Sequence, residues 1–348
     1  MNKLIREGDR SPEVADIQAR LRSLKLAVED ETGWFGESTR RAVREFQQQR
    51  GILVDGVIGP HTWSELVEAS WRLGDRPLYL AHPPMRGDDV VSLQSRLNAL
   101  GFDSGREDGI FGRLTDAAVR GFQKEYGVPE DGIFGQRSRA ALDGLRVDRP
   151  GTAALLREEL RRAESPGLVN ALVVVDPGHG GTDAGEIGPN GVREADACWA
   201  LGRRLAERLV AYGARVRLSR TEVESPDSSE RARRANNLGA AAVISLHLNS
   251  HEEGEAAGSS TYHFISSSAG RSLAEHIQDA LVHLGLDDCR SHGRAYTILR
   301  ETRMPAVLVE PVFVTNPEEE KKLEDPAFLR DLADALAKGV VAYFDEEP

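Results

Sequence analysis

Hydrophobic positions along the chain follow two rhythms. Up to about Leu142, apolar residues recur at the spacing of one helical face, as Val14, Ile17, Leu21 and Leu24 do, followed by Ala42, Val43 and Phe46. DG and FG pairs interrupt these stretches and mark turns. Beyond Asn170, short apolar runs alternate with amphipathic stretches. Ala171–Val175, Ala214–Ser219, Ala241–Leu248, Ser260–Ile265 and Ala306–Glu310 read as strands, and Ala195–Tyr212, Glu230–Leu238, Gly270–Leu284 and Ala327–Tyr343 as helices. Such alternation predicts an α/β domain with a largely parallel twisted sheet flanked by helices, which places ligands beyond the carboxyl ends of its strands.

The first part repeats itself. VADIQARLRSL from Val14 aligns with VVSLQSRLNAL from Val90, and the match runs without a gap for about forty residues at a constant offset of 76. Gln18 thereby pairs with Gln94, Phe35-Gly36 with Phe111-Gly112, Phe46-Gln47 with Phe122-Gln123, and Asp55-Gly56 with Asp131-Gly132. Each copy predicts a bundle of about three helices whose glycines serve tight connections. The expected organisation is a first module over 1–73, a second over 76–146, a Pro- and Gly-bearing linker over 147–169, and a third domain over 170–348. The shared pattern, I/LQxxL, then GxFGxxT, then FQ and DGxxG, resembles the peptidoglycan-binding module of bacterial wall enzymes. That resemblance implies a shallow groove for peptidoglycan, and two copies imply avidity for a repetitive polymer.

Composition narrows the choice of partners. The 348 residues are 40% hydrophobic and 29% charged, with no run near the roughly 20 apolar residues that span a bilayer, so no membrane span is expected. A net charge of −12 disfavours nucleic acid and anionic lipid. The basic run Arg231, Arg233 and Arg234, interleaved with Glu230 and Asn236, is expected to form a solvated helix face. MNKLIREGDRSPEV lacks the apolar run of a secretory signal, which makes a cytoplasmic location the expectation. Cys198 and Cys289 show no disulfide or CxxC pattern and read as reduced, structural thiols.

Candidate chemistry gathers at the predicted strand ends. VVVDPGHGGTDAG delivers His179 in a glycine-rich turn, and GVREAD brings Glu194 to a helix start fifteen residues later. His247 lies near the end of VISLHLNS, and Glu310 closes AVLVE. Two neutral imidazoles and one carboxylate form a hydrolytic zinc set with a fourth position open, and a second carboxylate beside it can move the proton. The order GHGG, Glu194, SLHLNS and LVExxFxTN, with Ser219-Arg220, Arg231 to Asn236 and PAVLVE, resembles the zinc-dependent N-acetylmuramoyl-L-alanine amidases from Val173 to about Leu336. The resemblance implies one zinc ion held by His179, Glu194 and His247, with Glu310 as catalytic acid/base and with Asn249 and Arg220 in support. The implied substrate is the amide between N-acetylmuramic acid and the L-alanine of the peptidoglycan stem. His292, in DDCRSHGRAY, is a candidate substrate contact, whereas His251, His276 and His283 read as surface or structural residues.

Pro311 and Val312 follow Glu310 where the family pattern has a small residue and then glycine. The module order, with DDCRSHGRAYTILRETRMP, is also similar to an actinobacterial group of cytosolic amidase homologues. That likeness implies an alternative role as a regulator that binds the enolpyruvyl transferase of peptidoglycan precursor synthesis, with weak or no hydrolysis. A lytic enzyme released by cell rupture is a third reading. Ser250–Gly258 is too short for a long inhibitory helix, so an open cleft is expected.

Overall fold

The computed structural model describes residues 4–52, 54–145, 167–251 and 254–346, so most of the expected linker, 147–166, lies outside the described residues. The chain divides into two compact units, 1–157 and 158–348.

In the first unit, helices α1 (Pro12–Ser23), α2 (Glu37–Arg50) and α3 (Pro60–Ser70) form one bundle, and α4 (Asp88–Ala99), α5 (Arg113–Glu125) and α6 (Gln136–Asp143) the other. The helical-period residues fill two cores, one around Phe35 and Phe46 and one around Phe111 and Phe122. Turns are held by buried glutamines at repeated positions. Gln94 donates to Asp108 Oδ1 at 2.8 Å and to Thr115 Oγ1 at 3.2 Å, while its Oε1 accepts from Gly109 N at 2.9 Å. Gln18 does the same with Thr39 and Gly33. Gln47 and Gln123 read the two DG turns, accepting from Gly56 N and Gly132 N and donating to Asp55 and Asp131. The conspicuous Gln and DG positions of the repeat are therefore used by the fold itself.

The second unit is built on a six-stranded sheet of order β2-β1-β3-β6-β4-β5. Its strands are β1 (Leu172–Pro177), β2 (Arg215–Leu218), β3 (Ala242–Leu246), β4 (Ser259–Phe264), β5 (Asp288–Arg294) and β6 (Ala306–Glu310). All pairings are parallel except β4 with β6. The continuous apolar runs feed two cores by strand alternation. Val173, Val175, Ile244, Leu246, Val307 and Val309 pack under α7 (Glu194–Ala211), α9 (Ser268–His283) and α12 (Pro326–Asp345). Val174, Val243, Ala306 and Leu308 face the other way, toward α8 (Ser228–Leu238) and α10 (Thr297–Glu301).

The five strands and four long helices expected from patterning are present within a few residues of their expected ends. Strand β5, α10 and α11 (Pro317–Leu323) carry no such signal. DCRSHGR of β5 alternates no apolar residues, and it pairs on one side only, against β4, at the sheet edge. No helix among the described residues is long and apolar enough to cross a membrane.

Gln94→Ala strips the Gly109 amide of its acceptor and should cost about 2 to 3 kcal/mol. Hydrogen exchange read by mass spectrometry should rise across residues 88–143 and stay unchanged across the sheet.

Candidate metal centre

Sheet topology assembles this site. Strand β1 has β2 on one side and β3 on the other, so the connections leave it in opposite directions and open a crevice at the carboxyl ends. The neighbours β1, β3 and β6 run parallel and release their chains there side by side. His179 lies two residues beyond β1, His247 directly follows β3, and Glu310 is the last residue of β6. Glu194 opens α7, where the helix dipole favours a carboxylate.

His179, Glu194 and His247 each offer one ligand atom, and these atoms all lie within 4.8 Å of one another. His179 Nε2 and His247 Nδ1 both approach Glu194 Oε1 at 3.1 Å. Ligands about 2.0 to 2.1 Å from a tetrahedral ion sit roughly 3.3 Å apart, so the spacing and the donor types fit zinc. His179 Nδ1 faces Asp183 Oδ2 at 2.9 Å, which orients the ring and directs Nε2 to the cluster. Glu194 accepts backbone N–H bonds from Leu248 and Glu186, each at 3.0 Å. Burial opposes its ionisation, yet the two imidazoles hold the Glu194 carboxyl well below the usual range. Burial likewise opposes a charged His179, but Glu194 and Asp183 raise it to about 10. Two imidazoles and a buried carboxylate thus form a set that could hold a metal ion.

The turn carrying His179 is strained, with His179 itself left-handed at φ 54°. Gly178 has no room for a side chain, because a Cβ there would come within 2.6 Å of the His247 ring. Two buried guanidinium groups hold this turn. Arg220 donates to Pro177 O at 2.8 Å, to Gly178 O at 3.0 Å and to Ala195 O at 3.2 Å. Arg231 donates to Pro177 O and to His179 O, both at 2.6 Å, and pairs with Asp176 at 2.9 Å. The expectation of a solvated face is thus wrong for Arg231, which is 5% exposed, and holds for Arg233, which pairs with Glu230 at the surface. Spacing along a helix cannot reveal a partner 55 residues away. Burial alone would raise the Asp176 carboxyl, but Arg231 with the Ser219 and Ser245 hydroxyls keeps it below the usual range.

Glu310 stands beside this cluster. Burial, and then the Glu194 charge, push its carboxyl up to about 8, against the opposing pull of the Tyr262 hydroxyl, which donates to Oε2 at 3.1 Å. Val312 is not left-handed. It packs into the sheet core, and its carbonyl accepts from Asn249 N at 2.9 Å, so the Pro311-Val312 sequence prolongs the pairing of the two central strands. The Asn249 side chain accepts from Ser250 N at 2.8 Å. His292 lies on β5 with its ring 5.7 Å from that of Tyr262, one aromatic residue removed from Glu310. His276 and His283 bond backbone carbonyls of their own helix, and His251 is exposed. Asp183, Arg231 and Tyr262 are the site neighbours that sequence reasoning missed.

Arg231→Met leaves Asp176 buried without its cation and should destabilise the protein by about 3 to 5 kcal/mol in urea titrations, against less than about 0.5 kcal/mol for Arg233→Met. The raised Glu310 carboxyl has a pH signature. Its contribution to stability is intact below the ordinary value of 4.5 and is lost as pH climbs through about 8. Glu310→Gln cannot titrate. With chelator present it should therefore be more stable than wild type at pH 8, by on the order of 4 kcal/mol, and level with it at pH 4.

Comparison with known proteins agrees with this geometry. Residues 173–342 match the N-acetylmuramoyl-L-alanine amidase family, and residues 10–66 and 86–142 each match a peptidoglycan-binding domain family. N-acetylmuramoyl-L-alanine amidase CwlM of Mycobacterium tuberculosis is 41% identical over 360 residues, covering 97% of this chain and 88% of that one. The amidase LytC of Bacillus subtilis is 32% identical over 56% of this chain and 39% of its own. The crystal structure of an N-acetylmuramoyl-L-alanine amidase from Clostridium difficile 630 superposes with a TM-score of 0.50 at 32% identity, over 51% of this chain and 99% of that one. With the His-Glu-His cluster beyond the carboxyl ends of β1 and β3 and similarity to CwlM over nearly its full length, this chain belongs to the N-acetylmuramoyl-L-alanine amidase family.

Proposed function

We propose that residues 170–348 hold one zinc ion through His179, Glu194 and His247 and hydrolyse the amide joining the lactyl group of N-acetylmuramic acid to L-alanine of the peptidoglycan stem. The convergence of those three side chains from three separate elements carries this reading. Bound zinc supplies Lewis acidity, polarising a carbonyl and lowering the pKa of water toward about 7.

The chain's own residues do the rest. Glu310 takes a proton from the attacking water and returns it to the departing alanine nitrogen, a task suited to a carboxyl at the end of the strand beside His247. Glu194 stays ionised and fixes both imidazoles, and Asp183 orients His179. Arg220 supports the site through the backbone it grips, and Asn249 by tying β3 to the segment after Glu310. Modules 1–73 and 76–146 would bring the enzyme to peptidoglycan, with 147–169 as the tether.

The second reading is a cytoplasmic regulator that docks on the enolpyruvyl transferase of precursor synthesis. Such a role needs a surface and no metal. A preassembled ligand set with a carboxylate beside it favours hydrolysis.

Zinc-loaded protein incubated with purified peptidoglycan should release free stem peptides, detected by mass spectrometry, and Glu310→Ala should lower the rate by about a hundredfold or more. No release with any divalent metal would leave the regulator reading standing alone.

A further inference from the structure

Tyr262 packs its ring at the margin of the second core, and its hydroxyl reaches the Glu310 carboxyl. It sits on β4, the one strand that meets β6 antiparallel. Ser260 is the direct partner of Glu310, so Tyr262 occupies the diagonal position on the same face, within reach of a long side chain. Its hydroxyl donates to Glu310 Oε2 at 3.1 Å. Two rings brace it, Tyr296 at 5.2 Å and His292 at 5.7 Å, and His292 is itself fixed through the Cys289 carbonyl at 2.8 Å.

We propose that Tyr262 is a positioning residue for hydrolysis, holding the Glu310 carboxylate in one rotamer through its hydroxyl while Tyr296 and His292 hold the phenol. The proposal rests on Glu310 acting as acid/base. Glu310 ends its strand, and the Tyr262 hydroxyl donates a hydrogen bond to its carboxyl. Burial keeps the phenol protonated across the working pH range, so it is always a donor. A donor to the charged form favours that form, and the other titratable groups acting on Glu310 work against it or through the phenol: Glu194 by repulsion, Tyr296 and His292 by packing on the Tyr262 ring.

The test compares wild type, Tyr262→Phe and Glu310→Gln as full-length, zinc-loaded proteins. Tyr262→Phe keeps the ring and loses only the donor. On peptidoglycan fragments it should lower kcat on the order of tenfold with KM and bound zinc unchanged, and the limb of the kcat/KM profile set by ionised Glu310 should move to higher pH. A second readout needs no turnover. The Glu310 carboxyl resonance, assigned in 13C spectra by its loss in Glu310→Gln, should titrate at higher pH in Tyr262→Phe than in wild type. Unchanged kcat, pH limb and carboxyl titration in Tyr262→Phe overturn the proposal, even where Glu310→Gln is inactive and the amidase reading stands. Full activity in Glu310→Gln overturns the acid/base role and this inference together.

Discussion

One buried carboxylate organises the site. Asp176 closes the apolar run of β1 at 1% exposure, where an unpaired charge is untenable, and its partners come from three other parts of the domain. Arg231 reaches it from α8, Ser245 from β3 at 2.7 Å, and Ser219 from just beyond β2. A single charge thereby fastens the carboxyl ends of adjacent strands. The same Arg231 spans from Asp176 to the His179 carbonyl, and Arg220 grips the two carbonyls between. The left-handed backbone at His179 persists because this frame determines it from several sides. The backbone that presents His179 therefore depends on an ion pair outside the His-Glu-His cluster.

Much of this was legible in the sequence, because the features that placed His179, Glu194, His247 and Glu310 are local. Apolar runs mark the strands, glycines mark the turn, and parallel sheets expose their carboxyl ends, so polar residues there are conspicuous. What stayed hidden depends on distant partners. Arg231 looks like any arginine on a charged helix until β1 brings Asp176 to it. Tyr262 lies within an ordinary strand pattern, and its meaning arises from the antiparallel register of β4 against β6. Strand β5 was invisible because DCRSHGR carries no apolar alternation to mark it.

The repeats teach the converse. Their most conspicuous shared positions, the glutamines and DG pairs, are spent on buried hydrogen bonds that close turns. The segments that match peptidoglycan-binding domains thus carry, at their shared Gln and DG positions, residues that specify the bundle. Pro311 and Val312 are similar in kind. They depart from the pattern directly after Glu310, and the structure absorbs them by extending strand pairing and filling the core with Val312.

The central claim is that three side chains form one zinc site. Metal analysis of the purified chain combined with X-ray absorption at the zinc edge tests it directly. One zinc per chain, bound by nitrogen and oxygen alone and lost in His247→Ala, is the predicted result. Sulfur ligation through Cys198 or Cys289, or zinc retained undiminished in His247→Ala, would contradict the account.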